Sequence, residues 1–287
     1  MKKKISITYL FIIIFVCIFL FFDFSFKGKK KLDTSNKMLV HYIDVGQGDS
    51  VLIQVNNKNL LIDAGPKDSK ENILSYLKSL DILKLDYIIA THPHEDHIGN
   101  MSSIINKYKI GKFYAPRIQH TTTAFEKMIE SLISKNLKIN VIKKGTDTID
   151  LGENIQINVL SPNNDEYSNL NNYSPIIKIE YGNNSFLFTG DAENQVEEEV
   201  LALKSNIKAD VLKVGHHGSS TSTSQSFFNA VNPSIAVISL GLDNKYGHPN
   251  DKLIDLLNSN NTIVYRTDLY GTIILSSDGN EITNITN

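Results

Sequence analysis

The chain has one cysteine among 287 residues, no surplus of basic charge, and a single long uncharged apolar run. Each shortage excludes a class of protein. The cysteine, Cys17, lies inside the N-terminal apolar run, so the rest of the chain has no thiol. That rules out a disulfide scaffold, a cysteine zinc site and a thiolate nucleophile there, and it is compatible with an oxidising exterior. No second apolar run is long enough to cross a bilayer, which excludes a bundle of membrane helices. The formal charge of −2 hides an asymmetry. Residues 1–31 carry seven of the 29 basic residues and one of the 31 acidic ones, leaving 22 basic against 30 acidic in the remainder. A domain this acidic, with no aromatic-interleaved basic stripe, cannot hold nucleic acid by general electrostatics. It can still meet a phosphodiester at bound cations.

What is present begins with the N-terminus. Lys2, Lys3 and Lys4 precede an uncharged stretch over residues 5–22, and Lys27, Lys29, Lys30 and Lys31 follow it. Its 18 residues sit at the lower edge for a spanning helix, and no small-x-small cleavage site follows. The expectation is an uncleaved anchor, with a cleaved signal peptide as the alternative. Lysines flank both ends, so the positive-inside rule does not settle orientation. A short basic N-terminus before a first apolar segment usually stays inside, which puts the following domain at the outer face of the cell membrane, or secreted if cleaved. Residues 1–37 are thus read as anchor or signal segment plus basic tether, and 38–287 as one domain.

Within that domain, apolar alternation and turn residues predict strands over 38–43, 51–55, 60–62, 85–90, 155–160, 176–181, 186–188, 211–214, 235–238, 263–265 and 272–275. Helical spacing falls over 71–80, 123–134, 195–203 and 251–257. Hairpins mixed with strand–helix–strand units predict an α/β fold of two mixed sheets covered by helices. One order of elements occurs twice. A hairpin ends at Leu61-Ile62-Asp63-Ala64-Gly65, a helix follows, and a strand delivers a histidine cluster; later a hairpin ends at Phe188-Thr189-Gly190-Asp191, a helix follows, and a strand delivers His216 and His217. Two such halves packed face to face would bring both histidine loops to one edge.

The first cluster is His92-Pro93-His94-Glu95-Asp96-His97, directly after a buried-strand pattern. His92 and His94 are two apart, so their side chains leave an extended backbone on the same side. Asp96 and His97 add a second pair where the chain turns. Imidazole suits zinc and manganese, and carboxylate suits harder cations. A solvated polar loop does not need this density of titratable groups.

These residues resemble the metallo-β-lactamase superfamily. Asp44-Val45-Gly46-Gln47-Gly48-Asp49-Ser50, Leu212-Lys213-Val214-Gly215-His216-His217-Gly218-Ser219, Tyr246-Gly247-His248-Pro249 and Tyr265-Arg266-Thr267-Asp268 sharpen the likeness to its ComEC-like branch, the soluble domain of bacterial competence proteins, here as a free-standing domain. The resemblance implies a four-layer αβ/βα sandwich with one or two divalent ions, zinc or manganese, at its edge. His92 and His94 would hold the first, Asp96 and His97 the second, and Asp191 would bridge them. One of His216 and His217 would be a ligand and the other would face substrate. Asp63 would orient a ligand histidine from behind, with Asp49 on the same edge; Asp44 is read as a loop residue or an edge residue. The superfamily's usual third histidine for the first ion is missing: His120 is the only histidine in that interval, and the expected position reads Asn171-Asn172-Tyr173-Ser174. That weakens the first site and disfavours a β-lactam as substrate.

The remaining polar groups are read individually. His41 lies in a strand and reads as structural, and Lys213 reads as a surface lysine. His248, in a glycine–proline loop, contacts substrate, protonates a leaving group, or packs the loop. The expected chemistry is hydrolysis by a metal-activated hydroxide, with Asp96, His217 and His248 as the catalytic candidates. A phosphodiester is the first choice of substrate, drawn from extracellular DNA or a cell-envelope component. A non-catalytic metal-binding or regulatory domain, or a hydrolase of another ester or amide, is the alternative. No protein partner is readable.

Overall fold

The computed structural model describes residues 36–286, and the anchor-or-signal reading of the N-terminus lies outside them. Among the described residues no helix is long and apolar enough to cross a membrane. Among the described residues fourteen strands form two mixed sheets, and each half of the repeat forms the heart of one of them. In the first, β1 (Met38–Tyr42), β2 (Val51–Val55) and β3 (Lys58–Ile62) run antiparallel, and β4 (Lys84–Ile89) joins β3 in parallel. In the second, β8 (Ile177–Tyr181) and β9 (Asn184–Phe188) form the hairpin, and β10 (Val211–Lys213) joins β9 in parallel. Each parallel step needs a crossover, supplied by the helices Lys70–Ser79 and Asn194–Ala202.

Alternation along these strands makes three apolar layers. Val40, Tyr42, Ile53, Leu60 and Ile62 face Ile177, Ile179, Phe186, Phe188 and Val211 between the sheets. The odd-phase residues Leu52, Leu61, Leu85 and Ile88 instead pack on Ile73, Leu77, Ile104 and Leu132 from helices. On the far side, Leu187, Leu212, Ala236 and Ile238 pack on Val196, Val200, Phe227 and Leu257. Helix, sheet, sheet and helix thus form the four expected layers, with apolar burial contributing about 25 cal/mol per Å² at each seam.

Several elements escaped the sequence reading. Strand β5 (Lys109–Ala115) has only a short apolar end, because its exposed half carries Lys109, Gly111 and Lys112. β6 (Ile139–Val141) is a three-residue edge strand. The strand expected over 155–160 is present as β7 (Ile155–Val159) and borders the second sheet. After β11 (Ile235–Ile238) and β12 (Ile263–Arg266) extend the second sheet in parallel, the chain returns to the first. There β13 (Ile273–Ser277) pairs with β1 and carries β14 (Ile282–Asn284) at its edge. The return strand therefore ties the C-terminal part of the chain to its first strand.

Candidate metal centre

The ends of β4, β9 and β10 deliver their loops to one edge of the sandwich. After β4, Thr91 donates to Asp63 twice, from its backbone N–H at 2.8 Å and its hydroxyl at 2.7 Å. This ties the histidine turn to the end of β3. Residues 95–98 then form one helical turn that starts at His94 and sends His97 inward. The loop after β1 closes over this turn. Gly48 has φ of +151°, and a Cβ there would lie 2.3 Å from the Asp96 carbonyl oxygen, so no larger residue fits.

The second histidine loop uses strained backbone. His216 and His217 have φ of 46° and 55°, and Asp63 has 60°. Left-handed backbone at non-glycine residues is uncommon and concentrates at functional sites. Two successive residues in that region turn both imidazoles toward one carboxylate, although adjacent side chains on an extended chain would diverge.

That carboxylate is Asp191. Its Oδ2 lies 3.2 Å from His97 Nε2, 3.6 Å from His217 Nε2, 3.7 Å from His216 Nε2 and 3.8 Å from His92 Nε2. Asp96 Oδ2 stands 3.3 Å from His217 Nε2 and 3.9 Å from His97 Nε2. Asp96, His97, Asp191 and His217 each present one ligand-capable atom, all within 4.8 Å of one another. On the other flank, His92 Nε2 and His94 Nδ1 lie 3.0 Å apart. All seven residues expected as ligands therefore converge. Between the two adjacent histidines, His217 is buried within the cluster, whereas His216 is half-buried at its rim.

Supporting residues fix the imidazoles from behind. Asp63 Oδ2 lies 2.8 Å from His97 Nδ1, leaving Nε2 to face the cluster. His217 Nδ1 lies 2.9 Å from the Ser239 carbonyl, which accepts its proton, and 3.5 Å from Asp49. Such contacts set tautomer and ring orientation in metal-ligating histidines. The Asn171–Ser174 segment brings no histidine or carboxylate to the cluster. Ser174 Oγ instead lies 3.3 Å from His92 Nδ1, on the side away from His94, and accepts from the Asp191 backbone N–H at 3.2 Å. Asn169 and Asn171 donate to Glu193, whose carboxylate stands 3.4 Å from His216 Nδ1.

Lys213 corrects the sequence reading. It is not a surface lysine: it is 1% exposed, 2.5 Å from Asp49 and 3.0 Å from the Val214 carbonyl. β10 has a parallel neighbour on each side, and the residue alternating away from the helix layer points toward the first half of the chain. His41 is structural, buried and 2.7 Å from the Tyr76 hydroxyl. His120 bonds Thr122 at the start of the helix Thr123–Ser134 and makes no hydrogen bond to the cluster. Asp44 accepts from the Gly46 N–H within its own loop.

The electrostatics divide the cluster. Burial, then the neighbouring His97, hold His92 well below the usual imidazole range, and burial also lowers His94. Both are therefore neutral at pH 7, the form that ligates. Burial opposes charge on Asp191 and Asp96, but the facing imidazoles overcome it and hold both carboxyls below their ordinary value. Burial likewise opposes a proton on His217, yet Asp191 and Asp49 push it up to about 10. His97 is raised well above its usual range by Asp191, Asp96 and Asp63 against the same burial. Asp49, buried beside Lys213, is lowered to about 2.

The donor set fits a divalent cation. His97 Nε2, His217 Nε2 and Asp191 Oδ1 are buried and lack hydrogen-bond partners. Buried polar atoms without partners are rare, and here two of them, the His97 and His217 Nε2 atoms, lie 3.2 and 3.6 Å from Asp191 Oδ2. Imidazole nitrogen with carboxylate oxygen suits zinc, manganese or iron more than calcium.

Comparison with known proteins agrees with this geometry. Residues 43–241 match the profile of the metallo-beta-lactamase superfamily. ComE operon protein 3 of Bacillus subtilis is 34% identical over 82% of this chain and 32% of its own length. Recombination protein 2 of Haemophilus influenzae is 33% identical, covering 82% of this chain and 28% of its own length. The chain thus spans about a third of the curated relatives it matches. The metallo-beta-lactamase fold protein YhfI of Bacillus subtilis superposes with a TM-score of 0.58 at 15% identity, covering 84% of this chain and 99% of that one. That last likeness is one of fold.

Proposed function

The chain belongs to the metallo-beta-lactamase superfamily, on its ComEC-like branch, and from that premise we propose that it hydrolyses phosphodiesters with one or two divalent ions, zinc or manganese. The observation that carries this reading is the group Asp96, His97, Asp191 and His217, whose ligand-capable atoms lie within 4.8 Å of one another and include the orphaned His97 Nε2 and His217 Nε2. Asp96, His97, Asp191 and His217 would hold one ion; His92 and His94, with Asp191 shared, would hold the other. When bound, such ions supply Lewis acidity and bring the pKa of water near neutrality.

The chain's own residues do the rest. Asp63 and the Ser239 carbonyl keep the Nε2 atoms of His97 and His217 pointed at the centre. Buried walls keep the Asp191 oxygens poorly solvated, which strengthens their hold on positive charge. His216 and His248 stand at the rim with ring centroids 5.9 Å apart, placed to touch a substrate. Burial, then His216 and His217, lower the pKa of His248. A neutral imidazole is a poor proton donor to a leaving group, so His248 is assigned to substrate contact. The acidic domain attracts no polyanion at long range, so recognition has to be local.

This reading extends to a nuclease or envelope phosphodiesterase acting outside the cytoplasm, with membrane attachment through the N-terminal segment. The test is hydrolysis of bis-p-nitrophenyl phosphate and single-stranded DNA by the purified chain with manganese or zinc. Turnover that chelation removes and Asp96→Ala abolishes supports the enzyme. Bound metal without turnover on any phosphoester sinks it and favours a non-catalytic domain of the same fold.

A further inference from the structure

The loop 239–250, between β11 and the helix Asp251–Ser259, borders the metal centre and is built with more care than a surface connection needs. Asn244 alone makes four hydrogen bonds in it. Its amide donates to the Gly241 carbonyl at 3.1 Å and the His248 carbonyl at 2.7 Å, while its oxygen accepts from the N–H groups of Tyr246 and His248 at 3.3 and 3.0 Å. The loop is also anchored to the first half of the chain. The Gly241 N–H donates to the Gln47 side chain at 3.2 Å, and a Cβ at Gly241 would lie 2.7 Å from the Gln47 backbone nitrogen.

This scaffold presents an aromatic track. The His248 ring meets His216 edge-on at 5.9 Å and stacks with Tyr246 at 5.8 Å and an interplanar angle of 19°. His216 in turn is 3.7 Å from Asp191. At the outer end Tyr246 is 59% exposed, and the Lys245 ammonium lies 5.3 Å from its ring centroid. A loop pinned by side-chain hydrogen bonds thus holds a large exposed aromatic ring, capped by a lysine, next to a histidine that contacts the rim of the centre.

We propose that Tyr246 is a stacking platform for a nucleobase flanking the scissile phosphate, with Lys245 taking a neighbouring phosphate. The proposal rests on the phosphodiesterase reading above and deepens it with a specificity-determining residue. It also resolves a difficulty of charge. A domain with 30 acidic and 22 basic residues after position 31 gains little from long-range attraction to a polyanion. Stacking on a neutral ring does not depend on net charge, and every base offers a face.

The chain has no tryptophan, so Tyr246→Trp would install a single indole reporter at the platform. Titrating that variant with a short single-stranded oligonucleotide is expected to quench its emission, and an abasic strand of equal length is expected not to. In kinetics, the ratio of kcat/KM for base-bearing over abasic strands should fall about tenfold in Tyr246→Ala and be retained in Tyr246→Phe. Lys245→Ala should lower the slope of log affinity against log salt by about 0.7. Equal quenching by both strands, or an unchanged ratio in Tyr246→Ala, would overturn the proposal. If the chain cleaves no phosphodiester, the functional reading fails, while the fluorescence titration still decides the platform independently.

Discussion

The two flanks of the metal centre are made of similar residues but are not equivalent. On one, Asp96, His97, Asp191 and His217 bring two carboxylates and two imidazoles together, with supporting contacts behind each ring. On the other, His92 and His94 face each other, and the carboxylates that act on them, Asp191 and Asp96, both belong to the first flank. Carboxylates supply both charge and hard oxygen donors, so the first flank should bind a divalent ion more tightly than the second. The missing third histidine leaves that flank one neutral donor short as well. Ser174, at the place where that ligand was sought, braces His92 and the Asp191 backbone instead.

The largest effect should come from the residue common to both flanks. Asp191→Ala is expected to reduce metal-dependent turnover by more than about a hundredfold, beyond what loss of a supporting contact causes. It should also lower the bound metal measured by inductively coupled plasma spectrometry. If both flanks still bind metal in that variant, the shared carboxylate has been misassigned. Next comes the support behind the carboxylate-rich flank. Lys213→Ala leaves Asp49 buried without its cation, a change expected to cost about 3–5 kcal/mol in urea unfolding. A surface lysine would give less than about 0.5 kcal/mol.

A smaller loss should follow removal of one orienting contact. Asp63→Asn is expected to weaken metal affinity or turnover about 10- to 100-fold, with near-normal affinity retained at the His92–His94 flank. Equal weakening at both flanks would erase the distinction. The smallest effect separates a core histidine from those of the site. His41 is buried and its pKa is lowered to about 4 by burial, against a small opposing bond to Gln54. The unfolded chain therefore binds more protons between about pH 6.5 and pH 4, so His41 costs stability as pH falls through that window. From pH 7.5 to 5 the wild type should lose about 2 kcal/mol more than His41→Gln in urea unfolding. Equal losses would show that His41 titrates normally in the folded chain.

Much of this was legible in the chain because the informative patterns were local. The hairpin–helix–strand repeat and the His92–His97 turn each lie within a short segment, and period-2 alternation gave most strands of both sheets. The parts that escaped depend on distant partners. Lys213 looks like any strand lysine until Asp49, far away in sequence, is brought beside it. The inward turn of both His216 and His217 rests on left-handed backbone that no residue type there announces. The pairing of β13 with β1 joins opposite ends of the domain, and only tertiary contact reveals it.

A calorimetric titration of the metal-free chain with manganese or zinc tests the inequality of the two flanks most directly. Two steps of different affinity are predicted, the tighter lost in Asp96→Ala and the weaker in His94→Ala. A single affinity for both ions, or a tight step that survives Asp96→Ala, would contradict it.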